Sequence, residues 1–256
     1  MLSVIIAAYN EEKRLEKTLR AITAFIDNQS LDAEIIVVND GSRDGTSQIL
    51  DRLKGEMPRL AAISYHENRG KGYALRQGVL ASRGDLVLLT DADLSTPMEE
   101  FEKLAQTLVS APCDIAIGSR ALQLSRILRQ QPWWRRTMGK TFNRIVKTVV
   151  LDGFEDTQCG FKLFRGPAAR ELFGRAVIDR FAFDVEILCR ARQEGLRIEE
   201  IPVVWSNAPG SKVNPVTDSA RMFLDTLRIR FLLGSAKTDN VGLDAVVSQP
   251  KLPDKH

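Results

Sequence analysis

Residues 85–93 read Asp85-Leu86-Val87-Leu88-Leu89-Thr90-Asp91-Ala92-Asp93. An apolar run without polar alternation is closed by two carboxylates one residue apart. A strand with one wet face alternates apolar and polar positions, whereas a strand covered on both faces reads as a continuous apolar run. The stretch 85–90 therefore predicts a strand inside a parallel sheet, with Asp91 and Asp93 at its carboxyl end. The same signature recurs at 2–8, 34–38, 60–65 and 114–118. Between these runs, helices are predicted over 11–27, 44–55, 71–82 and 97–110. In the first, Leu15, Leu19, Ile22 and Ile26 form one apolar stripe at spacings of four, three and four. The alternation predicts an α/β fold: a single, mostly parallel Rossmann-like sheet with helices on both faces.

Beyond residue 120 the pattern changes. Between Ile115 and Leu151 there are eight Arg or Lys residues and no Asp or Glu, in a chain whose net charge is only +3. Such a segment is either a solvated helix face or a surface for an anionic partner: phosphate, anionic lipid or nucleic acid. The part after Pro132 reads as helix and 152–166 as a loop containing Gly and Phe. A helix follows at 183–195, with Asp184, Glu186, Arg190 and Arg192 on its polar side. Residues 198–204 read as a strand and 215–233 as a last amphipathic helix. The pattern is lost over 234–256, which is expected to be a flexible tail.

A chain of 256 residues is long enough for one large α/β domain. With 44% hydrophobic and 27% charged residues it is an ordinary globular composition, which excludes wholesale disorder and collagen-like repetition. No apolar run approaches the roughly 18–20 residues of a spanning helix, and Met1-Leu2-Ser3-Val4 does not open a secretory signal. Cys113, Cys159 and Cys189 are too few and too scattered for a disulfide framework or a zinc site, which leads us to expect a reducing, cytoplasmic setting. Gly70 and Gly139 fail the spacing of a P-loop, and no Gly-x-Gly-x-x-Gly follows a strand. A Ser-His-Asp triad would have to use His66, since the other histidine, His256, is the last residue, and no nucleophile elbow supports it. The basic stretch carries no helix-turn-helix, zinc-finger or RNP pattern, so no nucleic-acid partner is expected.

In open parallel sheets, ligands bind outside the carboxyl ends of the strands. Asp91 and Asp93 leave their strand on one face, so both carboxylates can converge on one point. Two adjacent carboxylates repel, and a hard divalent ion such as Mg²⁺ or Mn²⁺, shared with substrate phosphates, removes that conflict. The competing interpretation is a solvated turn in which Ser95 or Thr96 caps a helix beginning at Pro97. Asn39-Asp40-Gly41-Ser42-Arg43-Asp44-Gly45-Thr46 is a turn entering a helix. Turn chemistry explains its glycines, whereas the carboxylate of Asp40 also suits the ring N–H of a pyrimidine base. Asn68-Arg69-Gly70-Lys71-Gly72 opens the third helix and offers an anion site of backbone N–H groups and two cations.

Taken together, Val4–Glu12, Val37–Thr46, Asn68–Leu75 and Asp91-Ala92-Asp93 resemble the family 2 glycosyltransferases of GT-A fold. Gly118-Ser119-Arg120, Arg135-Arg136 through Asn143, and Asp156-Thr157-Gln158-Cys159-Gly160-Phe161-Lys162 resemble the dolichyl- or polyprenyl-phosphate hexose synthases within it. Ala8 stands where many relatives have Pro. Mannose-using members commonly carry a metal-binding Gln at the position of Ser95, so the chain looks more like the glucose-using, UDP-dependent branch, the dolichyl-phosphate β-glucosyltransferases; GDP-mannose as donor and a non-lipid acceptor are the alternatives. The resemblance implies one domain over 1–233, divided into a nucleotide-sugar-binding half (1–120) and an acceptor half (121–233).

The resemblance further implies an inverting hexosyl transfer from a nucleotide sugar to a polyprenyl or dolichyl phosphate, with Mg²⁺ or Mn²⁺ as cofactor. Ala8, Tyr9, Glu11, Asp40, Arg69, Lys71 and Asp91 would hold the nucleotide sugar, and Asp91, Asp93 and Ser95 the metal. Arg120, Arg135, Arg136, Lys140 and Lys212 would hold the acceptor phosphate. Asp156 joins Asp91 and Asp93 in the catalytic set, as a shaping residue more than as a base, because a phosphate monoester with a second pKa of about 6 is already largely dianionic. Trp133-Trp134 beside Arg135-Arg136, and the apolar face of the last helix, suggest a peripheral contact with the cytoplasmic face of a membrane, against the alternative of core packing with snorkelling arginines.

Overall fold

All five apolar runs of the first half are strands: β1 (Leu2–Ala8), β2 (Ala33–Asp40), β3 (Leu60–Tyr65), β4 (Leu86–Asp91) and β5 (Ile115–Ser119). They alternate with α1 (Leu15–Asn28), α2 (Thr46–Glu56), α3 (Lys71–Ala81) and α4 (Phe101–Ser110). The second half contributes β6 (Arg126–Arg129), α5 (Trp133–Val149), β7 (Lys162–Arg165), α6 (Gly166–Gly174), α7 (Phe183–Gln193), β8 (Ile198–Pro202), β9 (Val204–Ser206) and α8 (Pro215–Leu233). The computed structural model describes residues 1–208 and 215–234.

Seven strands form one sheet in the order β3-β2-β1-β4-β7-β5-β8. Only β7 runs antiparallel to its neighbours. Alternate residues of each central strand serve opposite cores. Val4, Ile6, Val37 and Leu88 pack with α1, α2 and α4, while Ile5, Val38, Val87 and Leu89 pack with α3, α6 and α7. This double burial is what makes the runs read as continuous rather than alternating.

The chain winds outward from β1 to β2 and β3, then returns to place β4 on the other side of β1. The strand order thus reverses between β1 and β4, where open α/β sheets bind ligands. The register sets Ala7 beside Asp91, Ala8 beside Asn39, and Asp40 beside Tyr65. The polar carboxyl ends of β1, β2 and β4 therefore lie abreast.

The second half departs from expectation in four places. The loop expected over 152–166 contains β7, a four-residue strand that the sequence hides because its first residue is a lysine. β6 and α6 were not foreseen. The strand expected over 198–204 splits: β8 stays in the main sheet while β9 leaves it and pairs with β6 as a separate two-stranded sheet. Finally, Asp184 and Glu186 do not lie on a solvated face. Both are buried, Glu186 accepting the N–H groups of Val177 and Ile178 and pairing with Arg190. In the first half, α1 begins at Leu15 rather than 11, because residues 11–14 turn to carry Glu11 and Arg14 into the cleft. A 3₁₀ turn over Met98–Glu100 precedes α4.

Candidate active site

Asp91 is the last residue of β4, and Asp93 follows in a turn fixed at three points. The Leu94 N–H bonds the Asp91 carbonyl, Leu94 adopts a left-handed φ of 48°, and the Thr18 hydroxyl donates to the Ala92 carbonyl at 2.6 Å. Both carboxylates line a cavity of about 380 Å³ at the carboxyl ends of β1, β2 and β4, together with Ala8, Tyr9, Glu11 and Asp40. The structure thus brings these six residues to one cavity. Asp93 accepts the Ser95 N–H at 2.9 Å through Oδ1, and its Oδ2 lies 3.8 Å from Nη1 of Arg14. Arg14 also pairs with Glu11.

Ser95 does not line this cavity. It is buried, its N–H holds Asp93, and its carbonyl receives the Ser206 N–H. It orients a carboxylate, as an Asx turn would, instead of facing the cavity.

Asp40 is buried at the end of β2, and its carboxylate accepts three hydrogen bonds: from the N–H groups of Arg69 (2.8 Å) and Gly70 (2.9 Å) and from Nδ2 of Asn68 (2.9 Å). These bonds hold the 68–70 turn at the mouth of α3. Gly70, at φ 110°, permits it, since an L side chain in that conformation would be strained and a Cβ would meet the Asp179 carbonyl at 2.5 Å. A carboxylate has roughly four lone-pair sites, so Asp40 retains capacity toward the cavity it lines, but its first task is local. Arg69 is not brought to the cavity. It is exposed, its guanidinium carbon lies 3.9 Å from the Tyr73 ring centroid, and Nη1 donates to the Tyr73 hydroxyl.

Lys71, the first residue of α3, donates from Nζ to Asp91 Oδ1 at 2.7 Å. Burial opposes the charge on each partner, yet their attraction wins. Asp91 titrates below the usual carboxylate range because Lys71, with Lys162 and Arg120 behind it, outweighs desolvation, and Lys71 is raised by Asp91 and Asp184. The other oxygen of Asp91 rests on Gly160, where a Cβ would lie 2.2 Å from Oδ2. The donor set of the cavity, two carboxylates each with an oxygen not bonded to an N–H donor, fits a hard divalent ion that takes its remaining ligands from phosphate and water. Among the described residues there is no cluster of three or more His, Cys, Asp or Glu side chains able to hold an ion unaided.

On the acceptor side, Asp156 is clamped by Arg120. Its Oδ2 accepts Nε (2.6 Å) and the Arg120 N–H (3.0 Å), and its Oδ1 accepts Nη2 (2.8 Å). Burial pushes the carboxyl up, but the guanidinium more than cancels this and carries its pKa down to about 2. Arg120 is correspondingly raised. Such a carboxylate is too acidic, and too fully occupied, to serve as a general base at neutral pH. The backbone N–H groups of Glu155 and Asp156 both donate to Glu200.

Two further cavities, of about 270 and 290 Å³, adjoin this pair. The inner one shares Lys71 and Phe181 with the Asp91 cavity. The outer one shares Arg120, Arg135 and Gln158 with the inner one and includes Arg136. The three adjoin one another in a series from the acidic turn to the basic helix α5. Lys140 lies on α5 with its side chain outside the description, and Lys212 lies outside the described residues.

Sequence reasoning missed the buried pair beneath this series. Lys162, at 1% exposure, donates to Asp184 Oδ1 at 2.6 Å and to the Cys159 carbonyl, so it ties α7 to the turn that carries Gly160 against Asp91. The available signal was a lysine set in the apolar context Phe161-Lys162-Leu163-Phe164. Arg14 and Phe181 carried no such signal.

Residues 3–173 match the model of the family described as glycosyl transferase family 2. A dolichyl-phosphate beta-glucosyltransferase from Dictyostelium discoideum is 37% identical over 246 residues, 91% of this chain and 75% of that protein. The human protein of the same name is 36% identical over 91% of this chain and 76% of its own length. Among solved structures, glucosyl-3-phosphoglycerate synthase from Mycobacterium tuberculosis, in complex with Mn²⁺ and UDP-glucose, aligns with a TM-score of 0.66 at 19% identity, over 95% of this chain and 82% of that one. Mannosyl-3-phosphoglycerate synthase from Rubrobacter xylanophilus aligns with a TM-score of 0.67 at 19% identity, over 99% and 78%. The GT-A fold expected from the sequence is the fold of these structures. By its domain match and by its identity to relatives along most of its length, the chain belongs to glycosyl transferase family 2.

Proposed function

We propose that this protein transfers glucose from UDP-glucose to the phosphate of a polyprenyl or dolichyl phosphate, with inversion at the anomeric carbon and with Mg²⁺ or Mn²⁺ as cofactor. The observation that carries this reading is the adjacency of the cavities. A carboxylate-lined cavity suited to a metal-bound diphosphate shares Lys71 and Phe181 with a neighbouring space walled by Arg120, Arg135 and Gln158. Relatives at 37% and 34% identity are named dolichyl-phosphate beta-glucosyltransferases, which supports glucose as the group transferred and dolichyl phosphate as the acceptor.

In the reaction, an oxygen of the dianionic acceptor phosphate forms the bond to C1 of glucose. The bond from C1 to the diphosphate oxygen breaks, and its electron pair leaves with UDP. No proton moves, so no base is needed, which accords with Asp156 being locked in its pair with Arg120. Asp91 and Asp93 would hold the divalent ion, which neutralises charge gathering on the departing diphosphate. Lys71 holds Asp91 at the cavity floor and supplies positive charge at the N-terminus of α3, where phosphate oxygens are favoured. Asp40 fixes the 68–70 turn beside the base and ribose, which Tyr9 and Glu11 would border from the turn after β1. Arg120, Arg135 and Arg136 attract the acceptor phosphate; Lys140 and Lys212 are proposed to join them.

A prenyl chain requires an apolar setting. Among the described residues no helix is long and apolar enough to cross a membrane. Trp133 is 77% exposed beside Arg135 and Arg136, and α8 presents Phe223, Leu224, Leu227 and Phe231 to solvent among its arginines. Aromatic and basic residues in this combination favour the headgroup region of a bilayer, so the protein is proposed to act at a membrane surface, on the cytoplasmic side.

A donor screen with UDP-glucose, GDP-mannose and UDP-N-acetylglucosamine, using farnesyl phosphate and Mn²⁺, tests the proposal. UDP-glucose is expected to give a glucosyl farnesyl phosphate. Preference for GDP-mannose overturns the donor assignment, and sugar transfer to a saccharide but not to the prenyl phosphate overturns the acceptor. Flotation with anionic liposomes tests the membrane contact separately; protein that stays at the bottom of the gradient overturns it.

A further inference from the structure

The wall shared by the inner and outer cavities consists of Arg120, Gln131, Arg135, Gly139 and Gln158. It carries no carboxylate. Glu155 and Asp156 line only the outer cavity and Asp184 only the inner one. The neck between them thus presents two arginines, two glutamine amides and a glycine, with no carboxylate of its own.

Gln158 lines both cavities, and its Nε2 is buried and has no hydrogen-bond partner. A buried donor without a partner is destabilising, and such groups in folded proteins call for a specific explanation. Disorder does not supply one, because the loop is clamped. The Glu155 and Asp156 N–H groups bond Glu200, and the Gln158 N–H bonds Asp156 Oδ1 at 3.1 Å. The environment favours an incoming anion whose oxygen completes the amide.

We infer that Gln158 binds the acceptor phosphate, donating from Nε2 to one of its non-reacting oxygens at the neck between Arg120 and Arg135. The inference rests on the function proposed above. Its chemistry complements that of the arginines. The phosphate begins as a dianion and ends as a monoanionic diester, so its charge must be available to form the new bond. A cation that pairs closely with the dianion stabilises it before reaction and blunts its nucleophilicity. A neutral amide orients the phosphate without drawing off that charge. Arg120 is already tempered in this respect, since Asp156 occupies its Nε and Nη2.

The test uses the full chain with Mn²⁺, UDP-glucose and farnesyl phosphate, comparing wild type with Gln158→Met, which keeps the volume and removes the donor, and Gln158→Glu, which keeps the shape and adds a charge. Gln158→Met is expected to raise the KM for farnesyl phosphate about tenfold, the usual effect of losing a hydrogen bond to a charged group, without raising the KM for UDP-glucose. Gln158→Glu is expected to be worse than Met at pH 8, and its deficit is expected to shrink toward pH 5.5, as the acceptor phosphate takes up a proton near its pKa of about 6. An unchanged acceptor KM in Gln158→Met, an equal rise in both KM values, or a Gln158→Glu deficit that is the same at both pH values overturns the inference and leaves the function standing. Wild-type protein that binds UDP-glucose but glucosylates no farnesyl phosphate overturns both.

Discussion

The donor and acceptor halves each present a cation–carboxylate pair to the cavities, and the two pairs are built differently. Lys71 meets Asp91 through one contact, and both side chains remain partly open, at 26% and 34% exposure. Arg120 grips Asp156 through two side-chain contacts and its own backbone N–H, and Asp156 is 8% exposed. A single contact from a flexible ammonium is readily exchanged for a phosphate oxygen, whereas a planar fork on a buried carboxylate is not. On the proposed function, the donor pair is working machinery, whereas in the acceptor pair Asp156 is scaffold that holds Arg120. The sequence motif alone gives both aspartates equal standing.

That contrast can be broken by substitution. The largest effect is expected at the acidic turn. Asp93→Ala should lower transfer at least about a hundredfold while leaving the thermal midpoint near wild type, because the residue lies in a solvent-accessible turn; turnover assays and circular dichroism check the two halves of this statement. Lys71→Met should lower transfer about tenfold to a hundredfold and weaken UDP-glucose binding in calorimetry. A normal rate in this variant would make the donor pair scaffold after all.

Asp156→Asn should show the opposite profile. Leaving Arg120 without its partner should cost about 3 kcal/mol of stability, measured by urea unfolding, while turnover at permissive temperature remains measurable. Complete loss of turnover with normal folding and donor binding would restore Asp156 as a base. The pair also sets a pH dependence. The folded pKa of Asp156, about 2, lies below the unfolded value near 3.9. Its stabilisation is thus fully present above about pH 4 and is lost as the pH falls through 2. The stability gap between wild type and Asp156→Asn should narrow accordingly in acid. The smallest effect is expected at Trp133. Trp133→Ser should weaken liposome binding and transfer to long-chain acceptors, with little change for farnesyl phosphate in detergent.

Legibility in the sequence follows the same division. The donor half was readable because its central strands are buried on both faces and its motifs sit at strand ends, so local pattern and global position coincide. Asp91, Asp93, Glu11 and Lys71 all reach the cavity they were expected to share. What escaped were the residues whose role depends on partners distant in sequence. Asp40 reads as a ligand for a base until Asn68, Arg69 and Gly70 are seen folded onto it. Ser95 reads as a metal ligand until its N–H is found on Asp93. In the acceptor half, β7 is four residues long and opens on a buried lysine, and Asp184 lies on a helix whose charges look solvated. Neither pattern shows that Lys162 and Asp184 meet beneath the site, because no periodicity records a pairing across 22 residues.

The central claim is that adjoining cavities bring a metal-assisted diphosphate site and a phosphate acceptor together without a protein base. Its most direct test is a single assay of product and anomeric configuration: UDP-glucose, Mn²⁺ and farnesyl phosphate with wild-type protein and with Asp93→Ala, the product read by NMR. The account predicts β-linked glucosyl farnesyl phosphate from the wild type and almost none from the variant. An α-linked product, or equal yields from the two proteins, would contradict it.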